Sequence, residues 1–557
     1  MNSTNRFETH IVDNQPFVLP PYNLWSDDKL LQNYVNHYAP TLDTSQQSLL
    51  AHYGELAGCD LMAHGELANK NKPVLHTFDR YGRRIDRVDF HPSYHTLMAS
   101  AMSNHNHNYS WQHEHTQGAH VVRAALMYMH YQAESGTSCP LTMTHAAVPA
   151  MRYGKQLPSY WLEKLINGVY DPREIPAKDK NGITVGMGMT EKQGGSDVRR
   201  NTTTATRQDD GSYHIVGHKF FFSAPMCDAH LILAQAEGGL SCFLLPRLLE
   251  NGELNHVRIQ RLKDKLGDWS NASSEVEFQD AKAFLVGEEG RGVPVIIDMV
   301  SLTRLDCMIG SSGLMRQALA QAVHHVSYRA AFGNTLIQQP LMRNVLADLT
   351  IECAAATALT MRVAKAVDEA PRNPQEAAFS RIVTAIGKYW VCKRTPAFVN
   401  EAQECLGGIG YVEENPMPRY YRQAPLNSIW EGSGNVQCLD VLRALAKEPE
   451  VKDALFSELT QQSGKNKYYD QHLVKLKEAF GDTQHMEIRS RYLTEQAALA
   501  LQAAVLLSKQ NNENNGDTEL ANAFCESRLG GQHGQTFGTL SASTNFDAIL
   551  EPIYLCS

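Results

Sequence analysis

A chain of 557 residues with 43% apolar content is long enough for several domains and for a sizeable core, which excludes a disordered or fibrous protein. Its 51 Lys and Arg against 60 Asp and Glu give a formal charge of −9, so no global field draws it to nucleic acid or an anionic membrane, although a local basic face stays open. The eleven cysteines fall singly, without paired zinc spacing or a dense secreted framework, and read as reduced, mostly buried thiols.

The opening MNSTNRFETHIVDNQPFVLP lacks the basic start and apolar run of a secretory leader, and no apolar stretch is long enough to span a bilayer, so the expectation is a cytoplasmic protein with no membrane span. Residues 1–180 read as an N-terminal extension and helical domain, as in GAHVVRAALMYMHYQAES with Gly136 as a stop. Residues 181–290 carry short β-type runs broken by turns, with Asp210-Gly211 as a hairpin turn between TTTATRQ and SYHIVGHKFFF. The helical period returns over 291–445 as a bundle, where EAPRNPQEA is a loop between two helices. A further helical segment, 446–557, contains the polar run KQNNENNGDTE and a Gly/Ser-rich end. The predicted class is α+β.

Three short stretches carry candidate chemistry. TEKQGGSD (190–197) follows a β-like run, and its Gly194-Gly195-Ser196 can bring backbone N–H groups and a hydroxyl against a phosphate; a plain tight turn reads the same way. GHKFFFS (217–223) fits either sheet core or a wall for a flavin ring. EGSGN (431–435) precedes the apolar VQCLDVL and so sits at a helix N-terminus, where unpaired N–H groups favour an anion; Glu431 there is either a catalytic base or a helix-start carboxylate.

The order of TEKQGGSD, GHKFFFS, SSEVEFQDAKAFLVGEEGRG, RAAFGNTL, CLGGIGYVEENPMPRYYR and SIWEGSGN resembles the acyl-CoA dehydrogenase family over residues 95–445. The wording GMGMTEKQGGSDV, SNASSEVEFQDA, FGNTLIQQPLMR and NSIWEGSGN is similar to its bacterial AidB branch, flavoproteins associated with the response to DNA alkylation, and extends the likeness over nearly the whole chain. The resemblance implies a helical domain, a central β domain, a second helical bundle and an added C-terminal helical domain, assembled as a homotetramer that holds FAD at subunit interfaces. It also implies an acyl-CoA or acyl-chain ligand and double-stranded DNA as partners.

Residue by residue, the resemblance places Thr190 on the flavin ring and Ser196 on the pyrophosphate, with Met189 and Gly195 contributing backbone. Phe221, Phe222 and Ser223 fall on the flavin side, Arg329 and Phe332 reach the FAD of a neighbouring subunit, and Trp430, Gly432, Ser433, Gly434 and Asn435 close on the cofactor. Glu431 aligns with the catalytic base. Removing a proton α to a thioester carbonyl while hydride leaves the β carbon needs a carboxylate across the acyl chain from the ring, with its pKa raised by partial desolvation. Thr303 stands where some members place an alternative base, which leaves Glu431 as the candidate, and Ala224-Pro225 replaces the usual Asn-Gly after the flavin-bonding hydroxyl.

Two further signals remain. His105, His107, His113 and His115 form a histidine-rich patch without acidic or cysteine partners at fixed spacing, so no metal is expected. Residues 451–557 hold nine basic residues against thirteen acidic ones, so the implied DNA contact has to come from a local stripe: the cluster KNKYYDQHLVKLK with Lys465, Lys467, Lys475 and Lys477, then Arg489 and Arg491, with Arg443 and Arg528. Three functions stay in competition: an acyl-CoA dehydrogenase, a DNA-protecting flavoprotein of weak or no turnover, and an acyl-chain sensor.

Overall fold

The structure is a computed structural model and describes residues 9–509 and 515–554. The helices Ala119–Ala133 and Ser138–Met151 in the N-terminal part are buried over almost their whole length. A hairpin, β1 (Val74–Phe78) and β2 (Arg84–Asp89), interrupts that part. Its strands are short and rich in polar residues, so alternation does not announce them.

Seven strands form the central sheet: β3 (Val185–Gly188), β4 (Thr204–Arg207), β5 (Tyr213–Ser223), β6 (Ala229–Ala236), β7 (Gly239–Pro246), β8 (Val257–Leu262) and β9 (Ser273–Val286). The pairings β6–β7, β7–β9, β9–β5, β5–β4 and β4–β6 close into a ring, which removes most exposed edges. The turn at Asp210-Gly211 joins β4 to β5 as expected, with Gly211 at φ +81°.

The bundle is built around one long helix, Gly292–Tyr328, packed against Pro340–Glu369, Pro374–Glu404 and the two buried N-terminal helices. Small residues allow the close approach: a Cβ on Gly313 would lie 2.6 Å from the carbonyl oxygen of Tyr128. Buried pairs Arg123–Asp306 and Arg316–Asp28 (3.0 Å) tie this helix to the N-terminal part.

The C-terminal helices Pro449–Thr460, Lys467–Gly481 and Met486–Ser508 are not set apart from the bundle. The side chains of Leu499, Leu501, Val505, Leu506 and Leu507 belong to the same apolar cluster as Met308, Leu359 and Ile386. Of the polar run KQNNENNGDTE, residues 510–514 lie outside the described residues. Among the described residues no helix is long and apolar enough to cross a membrane.

Candidate active site

Glu431 lies between the short turn Leu426–Ser428 and the helix Gly434–Lys447, with φ at +58° followed by Gly432 at +91°. A left-handed conformation costs a non-glycine residue about 1–2 kcal/mol, so something must hold it. The holding groups are cationic and amide donors that grip the loop by its carbonyl oxygens. Lys388 Nζ donates to Trp430 O and Gly432 O at 2.6 Å each, Gln437 Nε2 donates to Gly432 O (2.8 Å) and Glu431 O (3.1 Å), and Arg304 Nε donates to Glu431 O (3.2 Å). Arg304 is itself anchored on Asp440 at 2.7 Å.

The carboxylate is addressed separately. Thr303 Oγ1, on the long helix, lies 2.7 Å from Glu431 Oε2 and 2.9 Å from Val300 O. A hydroxyl has one proton and two acceptor sites. It donates to Glu431 when that group is ionised; when Glu431 carries the proton, the hydroxyl accepts from it and donates to Val300. Burial pushes the Glu431 carboxyl above its ordinary range, and the Thr303 hydrogen bond, Lys388 and Arg304 act against that rise.

The opposite wall comes from the sheet. β3 runs into Met189 and Thr190, and the loop that follows is pinned by Glu191, which accepts from Thr202 N (2.7 Å), Thr203 N (3.2 Å) and Lys219 Nζ (2.8 Å). Both Glu191 and Lys219 have fully buried side chains, and the pairing holds the Glu191 carboxyl down at about 2 against its own burial. Gly195 packs onto Thr190, since a Cβ there would meet Thr190 Oγ1 at 2.4 Å. β5 carries one extra residue between Lys219 and Phe222, and within this bulge Phe220 N donates to Thr190 O at 2.8 Å. Bulges of this kind re-aim side chains beside active sites. Ser223 Oγ then lies 3.2 Å from Ser273 Oγ.

The two walls border one apolar cluster around Cys139, whose thiol is pushed up to about 12, chiefly by burial. Trp430 and Met189 pack on the one apolar cluster that includes Cys139 and Met143. Trp430 Nε1 is satisfied by Asn427 Oδ1 at 2.9 Å.

The ring of Phe222 is 1% exposed, stacks on His230 at 3.8 Å and abuts Phe278, so its side chain is sheet core and any part it takes in holding a cofactor is left to its backbone; Phe221, one residue earlier on the alternating strand, is half-exposed.

Arg329 and Phe332 are not brought to this cleft within the chain. Arg329 Nη1 donates to Asn14 O at 2.6 Å, and Phe332, at φ +53°, is 98% exposed. The cationic residues also divide. Arg528, only 6% exposed, donates to Asp348 (2.5 Å) and Glu352 (3.1 Å), which removes it from any solvent-facing stripe. Arg489 pairs with Asp482 at 2.8 Å, Arg443 with Asp440 at 3.4 Å, and Arg491 reaches Tyr389 Oη and Asn435 Oδ1 at 3.3 Å each. Lys475 and Lys477 are exposed and form no ion pair among the described residues. In the histidine patch His107 is buried, and among the described residues no group of three or more His, Cys, Asp or Glu is arranged to hold a metal.

The donor set suits an anionic cofactor with a planar ring. The hydroxyls of Thr190, Ser196 and Ser433 have no partner among the described residues, Gly194-Gly195 keeps the loop free of bulk, and the helix Gly434–Lys447 begins without a side-chain cap, leaving its first N–H groups open. Sequence reasoning missed Lys388, Arg304, Gln437, Glu191 and Lys219. One signal was present: a lysine inside the apolar helical run RIVTAIGKYWV has no favourable place in a core unless it is paired.

A seven-stranded sheet between two helical parts, with a half-buried glutamate on the turn before a bundle helix and a hydroxyl-bearing loop after the first sheet strand, is the architecture of an acyl-CoA dehydrogenase. Residues 14–172 match the adaptive response protein AidB N-terminal domain, 186–281 the acyl-CoA dehydrogenase middle domain and 290–446 the C-terminal domain, and the chain belongs to the acyl-CoA dehydrogenase family, whose members are FAD-dependent. It is similar to AidB of Escherichia coli K12, with 46% identity over 474 residues, 85% of this chain and 87% of that protein. Acyl-CoA dehydrogenase family member 11 of Caenorhabditis elegans is 30% identical over 477 residues, 82% of this chain and 76% of that one. Among solved structures, C. elegans ACDH-11 in complex with C11-CoA superposes with a TM-score of 0.84 at 26% identity, covering 94% of this chain and 93% of that one. A Bacillus anthracis acyl-CoA dehydrogenase complexed with FAD shares the fold, with a TM-score of 0.68 at 15% identity over 92% and 88% of the two chains.

Proposed function

We propose that the protein holds FAD between the Thr190–Ser196 loop, Ser223 and the Ser433–Asn435 turn, and that it oxidises an acyl-CoA thioester between its α and β carbons with Glu431 as the base. The observation that carries this reading is the Glu431 carboxylate, held by Thr303 at 2.7 Å on a turn whose Trp430 packs on the same apolar cluster as Met189, next to Thr190. When bound, FAD supplies the acceptor for the hydride leaving the β carbon. The chain's own part is proton transfer: the Cα proton goes to a Glu431 oxygen, the electron pair left behind forms the new double bond, and Thr303 turns its hydrogen bond from Glu431 to Val300 as the acid forms. Glu431→Gln keeps the size and removes the acceptor. Anaerobic titration with a panel of acyl-CoAs should bleach the flavin of the wild type, while the variant stays yellow and unreduced, slower by at least about 10²–10⁴-fold. Equal bleaching in both would end the base assignment.

A second reading, double-stranded DNA binding in an alkylation response, is supported by the exposed Lys475 and Lys477 on the helix Lys467–Gly481, which form no ion pair among the described residues. Repetition of that face in a homotetramer, completed where Arg329 and Phe332 extend from each chain toward a neighbour's cofactor, would let weak contacts act together on phosphates. Fluorescence anisotropy with labelled duplexes should show affinity that falls steeply with salt and varies little with sequence; no binding at low salt by the FAD-loaded oligomer would exclude this role.

A further inference from the structure

A cavity of about 580 Å³ lies where β2, the helix Pro92–Ser103 and the connection 170–175 meet the sheet. Its lining reaches Pro140 and Ala224, the chain neighbours of Cys139 and Ser223, but includes neither Glu431 nor a residue placed on the cofactor. The size is that of a small-molecule pocket.

Its lining has two characters. One wall is apolar: the rings of Phe90 and Tyr94 stack at 4.0 Å, with Met98 and Met226 beside them. The other wall is ionic, and there three cations are closed by carboxylates at short range, Arg173 on Asp171 (2.6 Å), Lys180 on Asp228 (2.6 Å) and Arg87 on Asp89 (2.8 Å). The fourth, Arg247, differs. Its side chain is 11% exposed, its guanidinium donates no hydrogen bond among the described residues, and its nearest carboxylate, Glu174, stands off at 3.7 Å with half of its own surface in solvent. The backbone around it is fixed by Arg247 N to Asp228 O (2.8 Å) and Asn255 N to Arg247 O (3.0 Å). Burial acts against the charge of Arg247, pulling its pKa below the ordinary value. A guanidinium has five N–H donors in a planar fork matched to a carboxylate, and a desolvated one without acceptors is costly.

We propose that this cavity binds a carboxylate-bearing amphiphile of the fatty-acid class, its head group taken by both prongs of Arg247 and its chain laid along Phe90, Tyr94 and Met98. The head group takes the place that Glu174 fills only loosely, and Glu174 turns to water. A single negative charge then replaces a single negative charge beside Arg247, which a phosphate dianion would not do. The apolar wall supplies what a free inorganic anion does not need.

Isothermal titration of the full-length, FAD-loaded protein with dodecanoate tests this, with dodecanol and dodecyl phosphate alongside. Dodecanoate should bind more tightly than either, and Arg247→Met should weaken it at least ten-fold while leaving dodecanol unchanged. Glu174→Gln should tighten dodecanoate about three-fold by removing the competing carboxylate, and this half-exposed position keeps the test available should Arg247→Met fail to fold. Dodecanoate affinity unchanged in both variants places the ligand elsewhere and overturns the assignment, as does no binding by the wild type. Preference for dodecyl phosphate overturns the carboxylate class.

Discussion

The turn around Glu431 and the cationic helices near the C-terminus are both rich in charge, and the fold uses that charge in opposite ways. At Glu431 the cations Lys388 and Arg304 stand inward and direct their donors onto backbone carbonyls, so among the described residues the carboxylate has a single hydrogen-bond partner, the neutral Thr303. In the C-terminal helices most of the arginines are already engaged: Arg528 on Asp348 and Glu352, Arg489 on Asp482, Arg491 on Tyr389 and Asn435. Lys475 and Lys477, by contrast, are exposed and form no ion pair among the described residues. A count of basic residues therefore measures neither a docking surface nor a site; what matters is which charges already have buried partners.

The largest effect expected from this contrast is at Arg528. Arg528→Met leaves Asp348, fully buried, with His533 and the Gly538 N–H, and Glu352, nearly as buried, with Arg394, and should cost about 3–5 kcal/mol of stability, read as a lowered urea midpoint. Both carboxyls are held below their ordinary range, Asp348 and Glu352 alike opposing their burial through these cations. Depressed carboxyl pKa values mean stability that is present above the unfolded pKa and lost as pH falls through the folded one. The wild type should therefore lose stability in acid below about pH 4, and the variant should lose less there because part of that term is already gone. A neutral effect of Arg528→Met would return this arginine to the pool of free surface cations.

Next comes Lys388. Lys388→Met removes two charge-assisted hydrogen bonds from the carbonyls of Trp430 and Gly432; Gly432 O keeps its bond from Gln437, whereas Trp430 O loses its only donor of this kind among the described residues. The expected result is a loss of about 2 kcal/mol and a drop of roughly 10–100-fold in acyl-CoA-driven flavin reduction, because the base is no longer held on target. FAD content should stay near the wild-type value, which separates loosening of the base from loss of the cofactor.

How much of this was legible before the structure depends on range. The three-part order, the hairpin at Asp210-Gly211 and the placing of EGSGN at a helix start are local patterns, and the structure has them. The convergence of Glu431 with Thr303 spans 128 residues, and that of Arg528 with Asp348 spans 180, so neither has a periodic or spacing signature. Phe222 shows the limit at the other extreme: GHKFFFS is read correctly as strand, yet which of the adjacent rings faces the cleft is set by a one-residue bulge that the run of phenylalanines conceals. The hairpin β1–β2 escaped because its alternation is weak, and it is this hairpin that forms one side of the second cavity.

A smaller effect is expected at Thr303, and it appears on the pH axis. The hydroxyl's bond to the ionised carboxylate is charge-assisted and stronger than its bond to the neutral acid. Thr303→Val, similar in shape, removes a hydrogen bond that opposes the rise and should push the Glu431 carboxyl further up. Since proton removal needs the ionised form, the acid limb of the flavin-reduction rate should move to higher pH with the plateau unchanged, and Thr303→Ser should restore it. A fall in rate at every pH, with no shift of the limb, would mean that Thr303 serves packing alone.

The smallest effect on the fold, and the most direct test of the solvent-facing charges, is at Lys475 and Lys477. Both side chains are exposed on the helix Lys467–Gly481, whose buried face is Tyr469, His472, Leu473, Leu476 and Phe480. Lys475→Glu with Lys477→Glu touches none of that face, so stability should change by no more than about 0.5 kcal/mol and the flavin spectrum not at all. If these lysines meet phosphates, the same double variant should weaken duplex binding for every sequence tested and flatten the salt dependence by about one unit of log–log slope for each phosphate no longer neutralised. Arg489 and Arg491, already paired, should contribute less than either lysine when replaced by Ala. Duplex affinity that ignores the lysine changes but collapses with Arg491→Ala would invert the comparison, because it would mean that a cation held against Tyr389 and Asn435 is released on binding, coupling the DNA interaction to the turn that carries Glu431.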